Sequence, residues 1–246
     1  MTTLLSLIGV SKRFRGLVAV DSVTFDVPEG VIFAVIGPNG AGKTTLFSMI
    51  SGAMKPNSGS IAFAGQPIDG LTPDVVCRRG IARTFQLVRP FPALSVEDNV
   101  VVGALLRERN VAVAREQALT VLRRLDLFDK RNQIASTLTL PDRKRLEVAR
   151  ALATEPRLLL LDEVMAGLRP TETDRMVATL RDINRDSGLT ILLIEHVMRA
   201  VMALASRVLV LDHGTAIAEG APEAIVRDPA VVRSYLGDSA QEIGAR

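Results

Sequence analysis

A glycine-rich segment with one lysine and two threonines carries the strongest chemical signal in the sequence. It fits the pattern G-x-x-x-x-G-K-[ST], and its members are Gly37, Pro38, Asn39, Gly40, Ala41, Gly42, Lys43, Thr44 and Thr45. Its glycines would let successive backbone N–H groups curl around an anion. Lys43 would add a charge for the β- and γ-phosphates, Thr44 a hydroxyl for Mg²⁺, and Thr45 support near the α-phosphate. The segment therefore predicts a nucleotide site.

The flanking sequence decides between this interpretation and a glycine-rich turn with a surface lysine. Residues 31–36 form a short apolar, β-rich run, and residues 45–50 contain no helix breaker. A strand before the loop and a helix after it are the context that a phosphate loop requires, because the N-terminus of the helix faces the anion.

Polar residues also follow two other apolar runs. Residues 158–161 lead into Asp162 and Glu163, and residues 190–194 lead into Glu195 and His196. Ligands of open parallel sheets bind at the carboxyl ends of the strands, so these groups should converge on the phosphate loop. Asp162 would hold Mg²⁺ through its water shell, Glu163 would polarise the attacking water, and His196 would contact the γ-phosphate.

Each of these residues has a plainer alternative. Asp162 and Glu163 could form a solvated helix entry, and His196 could be a helix-starting histidine with a satisfied ring. Their joint position at strand ends beside a phosphate loop favours the functional interpretation.

The N-terminal part predicts a small sheet. Residues 3–10 and 23–27 are β-rich, residues 11–21 connect them, and a turn at residues 28–30 leads to the strand before the phosphate loop. Phe14 lies in that connection and could stack on adenine. The alternative, a phenylalanine that anchors the connection in the core, stays open.

The remaining pattern predicts an α/β core interrupted by helices. Its predicted elements are a strand at 60–64, a helix at 72–79 with Thr72 as N-cap, a strand at 81–85 ending on Gln86, a helix capped by Ser95, an amphipathic helix at 111–125, a helix from Pro141 to the break at 154–156, and then a strand at 158–161, a helix at 172–185, a strand at 190–194, a helix at 197–205 and a strand at 208–211.

This order predicts an α/β fold, a P-loop NTPase core with a mostly parallel sheet, a small N-terminal antiparallel β-subdomain and an inserted helical subdomain. One domain would span residues 1–246, with the core at about 1–86 and 156–246 and the helical subdomain at about 87–155.

Composition narrows the class of protein. The 30 basic residues exceed the 27 acidic ones by three and are scattered, and one tyrosine with no tryptophan offers no base-stacking platform, so we expect no nucleic-acid partner. The apolar runs are shorter than the roughly 18 residues of a membrane helix, which predicts a soluble, cytoplasmic protein. Cys77 is the only cysteine, so no intrachain disulfide can form.

The order of motifs resembles that of ABC transporter ATPases. The phosphate loop, Gln86, an inserted helical segment, residues 138–152, Asp162-Glu163 and His196 follow one another as in that family, over essentially the whole chain. Finer stretches at 80–86, 166–168, 194–196, 219–222 and 235–237 resemble the ATP-binding subunits of branched-chain amino acid importers. The stretch 83–86 resembles the larger of that system's two ATPase subunits.

The resemblance implies an ATP-driven clamp. Two such domains close head to tail on two ATP molecules with Mg²⁺, each site pairing one chain's phosphate loop with the other's signature motif, and hydrolysis reopens them. By motif, Phe14 would stack on adenine, and Gln86 would reach Mg²⁺ and water. Three residues would be catalytic: Glu163 as the base, Lys43 as the charge on the phosphates, and His196 as the switch.

The resemblance also implies partners and a location. They are two integral membrane permease subunits, a second ATPase subunit of a different chain, and indirectly a periplasmic or extracellular solute-binding protein. Gln86 and residues 87–92 would touch a helix of the membrane subunit. The protein would lie peripherally on the cytoplasmic face of the cell membrane.

Two departures from the family pattern affect the dimer interface. The signature Leu-Ser-Gly-Gly-Gln is replaced by Leu138 with Thr139, Leu140, Pro141 and Asp142. An ordinary helix start, with Thr139 as N-cap, is the plain alternative. Arg169 stands where many relatives carry Asp or Asn. Our hypothesis is an asymmetric heterodimer, in which this chain's phosphate loop hydrolyses ATP and its signature serves a weaker site.

Other classes explain less of the sequence. A lipopolysaccharide exporter ATPase ranks second. A soluble ABC protein of translation or DNA repair would need two cassettes or a long coiled-coil insertion, and a small-molecule kinase would leave Glu163 and His196 unexplained.

Overall fold

The computed structural model describes residues 2–85 and 90–236. Its strands are β1 (Thr3–Phe14), β2 (Leu17–Pro28), β3 (Ile32–Ile36), β4 (Ser58–Phe63), β5 (Gln66–Pro67), β6 (Ile81–Arg83), β7 (Leu158–Asp162), β8 (Thr190–Ile194), β9 (Arg207–Asp212) and β10 (Thr215–Gly220). Its helices are α1 (Lys43–Ile50), α2 (Pro73–Arg78), α3 (Val96–Ala104), α4 (Val111–Arg124), α5 (Leu140–Leu152), α6 (Pro170–Ser187), α7 (Met198–Leu204), α8 (Pro222–Ile225) and α9 (Pro229–Leu236).

Two sheets organise these elements. The larger has the order β10-β9-β3-β8-β7-β6, parallel apart from its β10 edge, and the smaller is the antiparallel sheet β2-β1-β4-β5. The helices α3, α4 and α5 pack on one another between β6 and β7 in the chain. The predicted α/β fold with a small antiparallel sheet and inserted helices is therefore confirmed.

The central strand β3 divides the core by its alternating side chains. Ile32, Ala34 and Ile36 join the cluster that includes α3 to α6, whereas Phe33 and Val35 join the cluster beneath the antiparallel sheet. All five residues are buried, since both faces of the sheet are covered. The phosphate loop thus starts from a strand buried at the centre of the larger sheet.

Several expected boundaries differ from the structure. The connection proposed for residues 11–21 is mostly strand, with a tight turn at Arg15 and Gly16 between β1 and β2. The core-anchor alternative for Phe14 is wrong, because its side chain ends β1 with 41% of the residue exposed. The strand expected at 81–85 ends at Arg83.

Four short elements were not predicted from the sequence. They are β5, β10, α8 and α9, of which α8 has only four residues and β10 is rich in alanine and glycine. In the described part of the chain, no helix combines the length and apolar character needed to cross a membrane. Gln86 and residues 87–89, to which the sequence assigned metal and partner contacts, lie outside the described residues.

Candidate functional site

Glycine is required at two points of the phosphate loop by the surrounding backbone. A Cβ on Gly37 would lie 2.0 Å from the Leu211 carbonyl oxygen, and one on Gly42 would lie 2.3 Å from that of Ala19. Gly42 also has a φ of +97° and immediately precedes α1. The loop is therefore wedged between β9 and β2, and its N–H groups and the start of α1 form one anion-binding surface.

Lys43 is held at this surface by main-chain carbonyls. Its Nζ donates 2.8 Å hydrogen bonds to the carbonyl oxygens of Gly37 and Pro38. Burial lowers the pKa of Lys43, while the nearby carboxylates of Glu163 and Asp162 act in the opposite direction. The three residues that the sequence assigned to one site are thus close enough to interact electrostatically.

The phosphate loop opens onto a cleft of about 470 Å³. It is lined by residues of the loop, including Lys43, Thr44 and Thr45, and by Phe14, Leu17, Val18, Ala19, Glu163 and His213. The Phe14 ring lies at this cleft, 5.6 Å from the Nζ of Lys12. An exposed aromatic face beside an anion-binding loop can stack a nucleobase.

His213 at the cleft was missed by sequence reasoning. It occupies the turn between β9 and β10, and its Nδ1 lies 2.8 Å from Asp212 Oδ1. Its position follows from the strand order, because β9 pairs with β3 in parallel and therefore ends beside the phosphate loop. An isolated His-Gly pair gave no indication of that pairing.

Asp162 ends β7 as a fully buried carboxylate. Its Oδ2 accepts a 2.8 Å hydrogen bond from Arg83 Nη2, whereas its Oδ1 is buried and has no hydrogen-bond partner among the described residues. A buried carboxylate oxygen without a donor suits the water shell of a hard cation, and Thr44, which lines the adjacent cleft, offers a hydroxyl oxygen. These donors fit Mg²⁺.

Glu163 has an unusual backbone conformation that neighbours hold in place. Its φ is +51°, its N–H donates to the Ile194 carbonyl at 2.9 Å, and its own carbonyl accepts from Lys144 Nζ at 3.0 Å. A backbone conformation in this region of φ/ψ space costs free energy, and it persists where the surrounding structure holds the residue in it. The Glu163 carboxylate lies 3.9 Å (Oε1) from His196 Nδ1, and the His196 side chain is 56% exposed.

Glu195 is a second buried carboxyl beside Glu163, and the sequence assigned it no role. It accepts a 2.9 Å hydrogen bond from the Met165 N–H, while its Oε2 has no hydrogen-bond partner in the described part of the chain. Burial raises the pKa of Glu195 to about 7, with a smaller contribution from the charge of Glu163. The segment after Glu163 is thus tied to the end of β8.

The residues at the signature position start α5 as a self-contained polar cluster. Thr139 is the N-cap residue, but its hydroxyl donates to Asp142 Oδ2 at 2.7 Å and caps no N–H. Asp142 also pairs with Lys130, and its Oδ1 lies 3.5 Å from Arg145. Burial would raise the pKa of Asp142, but the hydrogen bonds from Lys130 and Thr139 lower it overall.

The negative charge of Asp142 is therefore neutralised by Lys130 and Arg145 of the same chain. Leu140 follows Thr139 and lies against Gly167, where a Cβ would meet Leu140 Cδ2 at 3.3 Å. Thr139, Leu140, Pro141 and Asp142 are not among the described residues that line the phosphate-loop cleft. Arg169 is the N-cap residue of α6, with a largely exposed side chain near Glu172.

Two protein-family models match the chain. The model described as ABC transporter matches residues 20–166, and the model described as branched-chain amino acid ATP-binding cassette transporter matches residues 217–241. The second match includes the last four residues of β10 together with α8 and α9.

Curated relatives match the chain over nearly its full length. The high-affinity branched-chain amino acid transport ATP-binding protein LivG of Escherichia coli K12 is 39% identical over 251 residues, covering 96% of this chain and 98% of LivG. BraF of Pseudomonas aeruginosa, which carries the same description, is 37% identical with the same coverage.

Solved structures of ATP-binding cassettes are similar to this chain over nearly its full length. A nucleotide-free ATP-binding cassette from an ABC transporter superimposes with a TM-score of 0.87 at 28% identity, covering 96% of this chain and 100% of the other. The ADP conformation of MJ1267, an ATP-binding cassette of an ABC transporter, gives the same values.

Proposed function

This chain belongs to the ABC transporter ATP-binding family, and we propose that it hydrolyses ATP to power an importer of branched-chain or related amino acids. The observation that carries the proposal is the cleft in which Lys43 and Glu163 line one cavity with the phosphate loop. The similarity to LivG and BraF supports the cargo class, and the match over residues 217–241 favours this function over a lipopolysaccharide exporter or a non-transport ATPase. We propose one ATP-binding domain over residues 1–246.

Residues of the cleft, and His196 beside Glu163, would each carry out a different part of the chemistry. The N–H groups of residues 37–45 and the start of α1 bind the phosphates, and Lys43 supplies a cation already positioned by two carbonyls. Phe14 stacks on the base. Glu163 orients and polarises the attacking water, and His196, next to its carboxylate, reports the γ-phosphate.

Mg²⁺ is the metal that we propose for this site. Thr44 and Asp162 would hold it, Asp162 through water, and Gln86 would reach it from outside the described residues. When bound, the metal neutralises charge on the β- and γ-phosphates.

A surface groove supports contact with a membrane subunit. The groove has a volume of about 390 Å³, and its lining includes Phe85, Val102, Leu106 and Arg150. Phe85 immediately precedes residues 86–89 in the chain. The exposed Phe85 ring and apolar neighbours suit a short helix of a permease. The assembly would place this chain on the cytoplasmic face of the membrane, with two permease subunits, a second ATPase of a different chain and, indirectly, a solute-binding protein.

A Glu163→Gln substitution tests the proposed catalytic role. We expect ATP turnover to fall by about 10²- to 10⁴-fold, because the base is lost while the side chain keeps its shape. Binding of a fluorescent ATP analogue should not change. Glu223→Gln, on the exposed first turn of α8, is the matched control and should retain turnover. Normal turnover in Glu163→Gln would contradict the role.

A further inference from the structure

Arg83 connects three elements of the site through one guanidinium group. Its Nη2 donates to Asp162 Oδ2 at 2.8 Å, and its Nη1 lies 3.1 Å from Ser48 Oγ and 3.2 Å from Ser51 Oγ. Asp162 ends β7, Ser48 belongs to α1, the helix that follows the phosphate loop, and Ser51 is the C-cap residue of that helix. The fork geometry of arginine allows this double contact, which a lysine could not reproduce.

The pair is buried but is poorly arranged as a purely stabilising interaction. The Arg83 side chain is 9% exposed and that of Asp162 is 0% exposed. Within the described residues, Arg83 Nε and Asp162 Oδ1 both lack hydrogen-bond partners. Since buried ion pairs stabilise a fold only when their remaining polar atoms are satisfied, stability alone does not account for this arrangement.

The arrangement does account for the orientation of Asp162. Binding one carboxylate oxygen to Arg83 fixes the rotation of the group and leaves the other oxygen for a ligand. Outer-shell partners of metal-binding groups act in this manner. We infer that Arg83 is a positioning residue that holds Asp162 ready for the metal of the nucleotide site, an inference that rests on the proposed Mg-ATP function.

Arg83 is also linked to the proposed permease groove. Its Cζ lies 5.7 Å from the centroid of the Phe85 ring, and the Phe85 N–H donates to Glu147 Oε1 on α5 at 2.5 Å. Phe85 lines the groove together with Arg83 itself. Arg83 thus contacts Asp162 and also lines the proposed permease groove.

Metal binding in the absence of turnover tests the inference. Mn²⁺ binding would be followed by its electron paramagnetic resonance signal, with ATP present, in full-length protein carrying Glu163→Gln to prevent hydrolysis. Adding Arg83→Gln should weaken ATP-dependent Mn²⁺ binding by about 10-fold, the lower end of the effect of losing an outer-shell partner. Arg83→Lys, which keeps the charge but not the fork, should give a smaller loss. ATP binding in EDTA should not change in either variant.

Four outcomes decide whether the inference holds. Arg157→Gln, which removes an arginine paired with Glu29 at the surface, should bind Mn²⁺ normally. If Arg83 instead only screened the charge of Asp162, Arg83→Gln would bind Mn²⁺ as well as or better than the parent, and this outcome overturns the inference. If the parent itself shows no ATP-dependent Mn²⁺ binding, the proposed Mg-ATP function fails and the inference with it. Should Arg83→Gln fail to fold, normal Mn²⁺ binding by Arg83→Lys would still overturn it.

Discussion

At the scale of single residues, Glu195 lies in an environment that disfavours the ionised form of its carboxyl group. Burial raises its pKa to about 7, although its Oε1 accepts the Met165 N–H. The neighbouring charges are Glu163, which opposes ionisation of Glu195, and Lys144, which favours it. Ionised Glu195 therefore destabilises the native state.

The sign of the resulting pH dependence follows from proton binding. The native state holds a proton on Glu195 up to about pH 7, whereas the unfolded chain releases it near the ordinary value of 4.5. The native state thus binds more protons in this interval, and the contribution of Glu195 to stability falls as pH rises from about 4.5 through 7.

A Glu195→Gln substitution should remove this dependence. We compare the free energy of unfolding of the variant with that of the parent at each pH. This difference should be about 1 to 3 kcal/mol more favourable to the variant at pH 8 than at pH 5, because glutamine retains the acceptor and cannot ionise. Urea unfolding at both pH values measures the difference. Glu29→Gln, at an exposed position, is the control and should show little change with pH. An equal effect of Glu195→Gln at both values would show that Glu195 ionises normally.

At the scale of elements, the start of α5 bears on how two ATP sites would share the work. Thr139, Lys130 and Arg145 satisfy Asp142 within the chain, so the polar groups at this helix start are directed to one another. Pro141 offers no N–H to an anion. These features support the hypothesis that this chain's signature serves a weaker site, while its phosphate loop works against a partner's signature.

Restoring glycines at this helix start tests the asymmetry. In the assembled transporter, Leu140→Gly with Pro141→Gly should change ATPase activity less than Glu163→Gln does, because the altered surface faces the weaker site. Pro73→Gly, at the first turn of α2, controls for loosening a helix start. The opposite ranking, with the glycine variant more severe, would rule out the hypothesis.

At the scale of the whole molecule, the surface groove lined by Phe85, Val102, Leu106 and Arg150 is the feature that bears on the proposed assembly with membrane subunits. The groove lies between β6 and the helices α3 and α5, at the junction of the α/β core and the inserted helices. A movement of those helices relative to the core would therefore change the shape of the groove.

Affinity purification from gently solubilised native membranes tests the proposed assembly. The tagged chain should retain two multi-span membrane proteins and a second, different ATPase, identified by mass spectrometry. Leu106→Asp places a charge in the groove and should release the membrane proteins, while Ile8→Asp, at an exposed position on β1 outside the groove and the nucleotide cleft, should not. Recovery with ribosomes or nucleic acid would contradict the transport function.

Local patterns were sufficient to predict the phosphate loop, the buried strands and the polar residues at their ends. The reason is that these features depend on short-range chemistry: glycines where a Cβ clashes, aliphatic runs in covered strands, and Ser95, whose hydroxyl accepts the Asp98 N–H at 3.0 Å as an N-cap should. The order of the elements then identified the family and, with it, the fold.

Contacts between distant residues were decided only by the tertiary structure. Arg83 and Asp162 are 79 positions apart and meet because β6 and β7 pair in parallel, a register that neither segment encodes alone. The hydrogen bond from Lys144 Nζ to the Glu163 carbonyl likewise depends on how α5 packs against β7. The sequence by itself thus determined which groups are available for chemistry, and strand pairing and helix packing decided which of them hold one another in place.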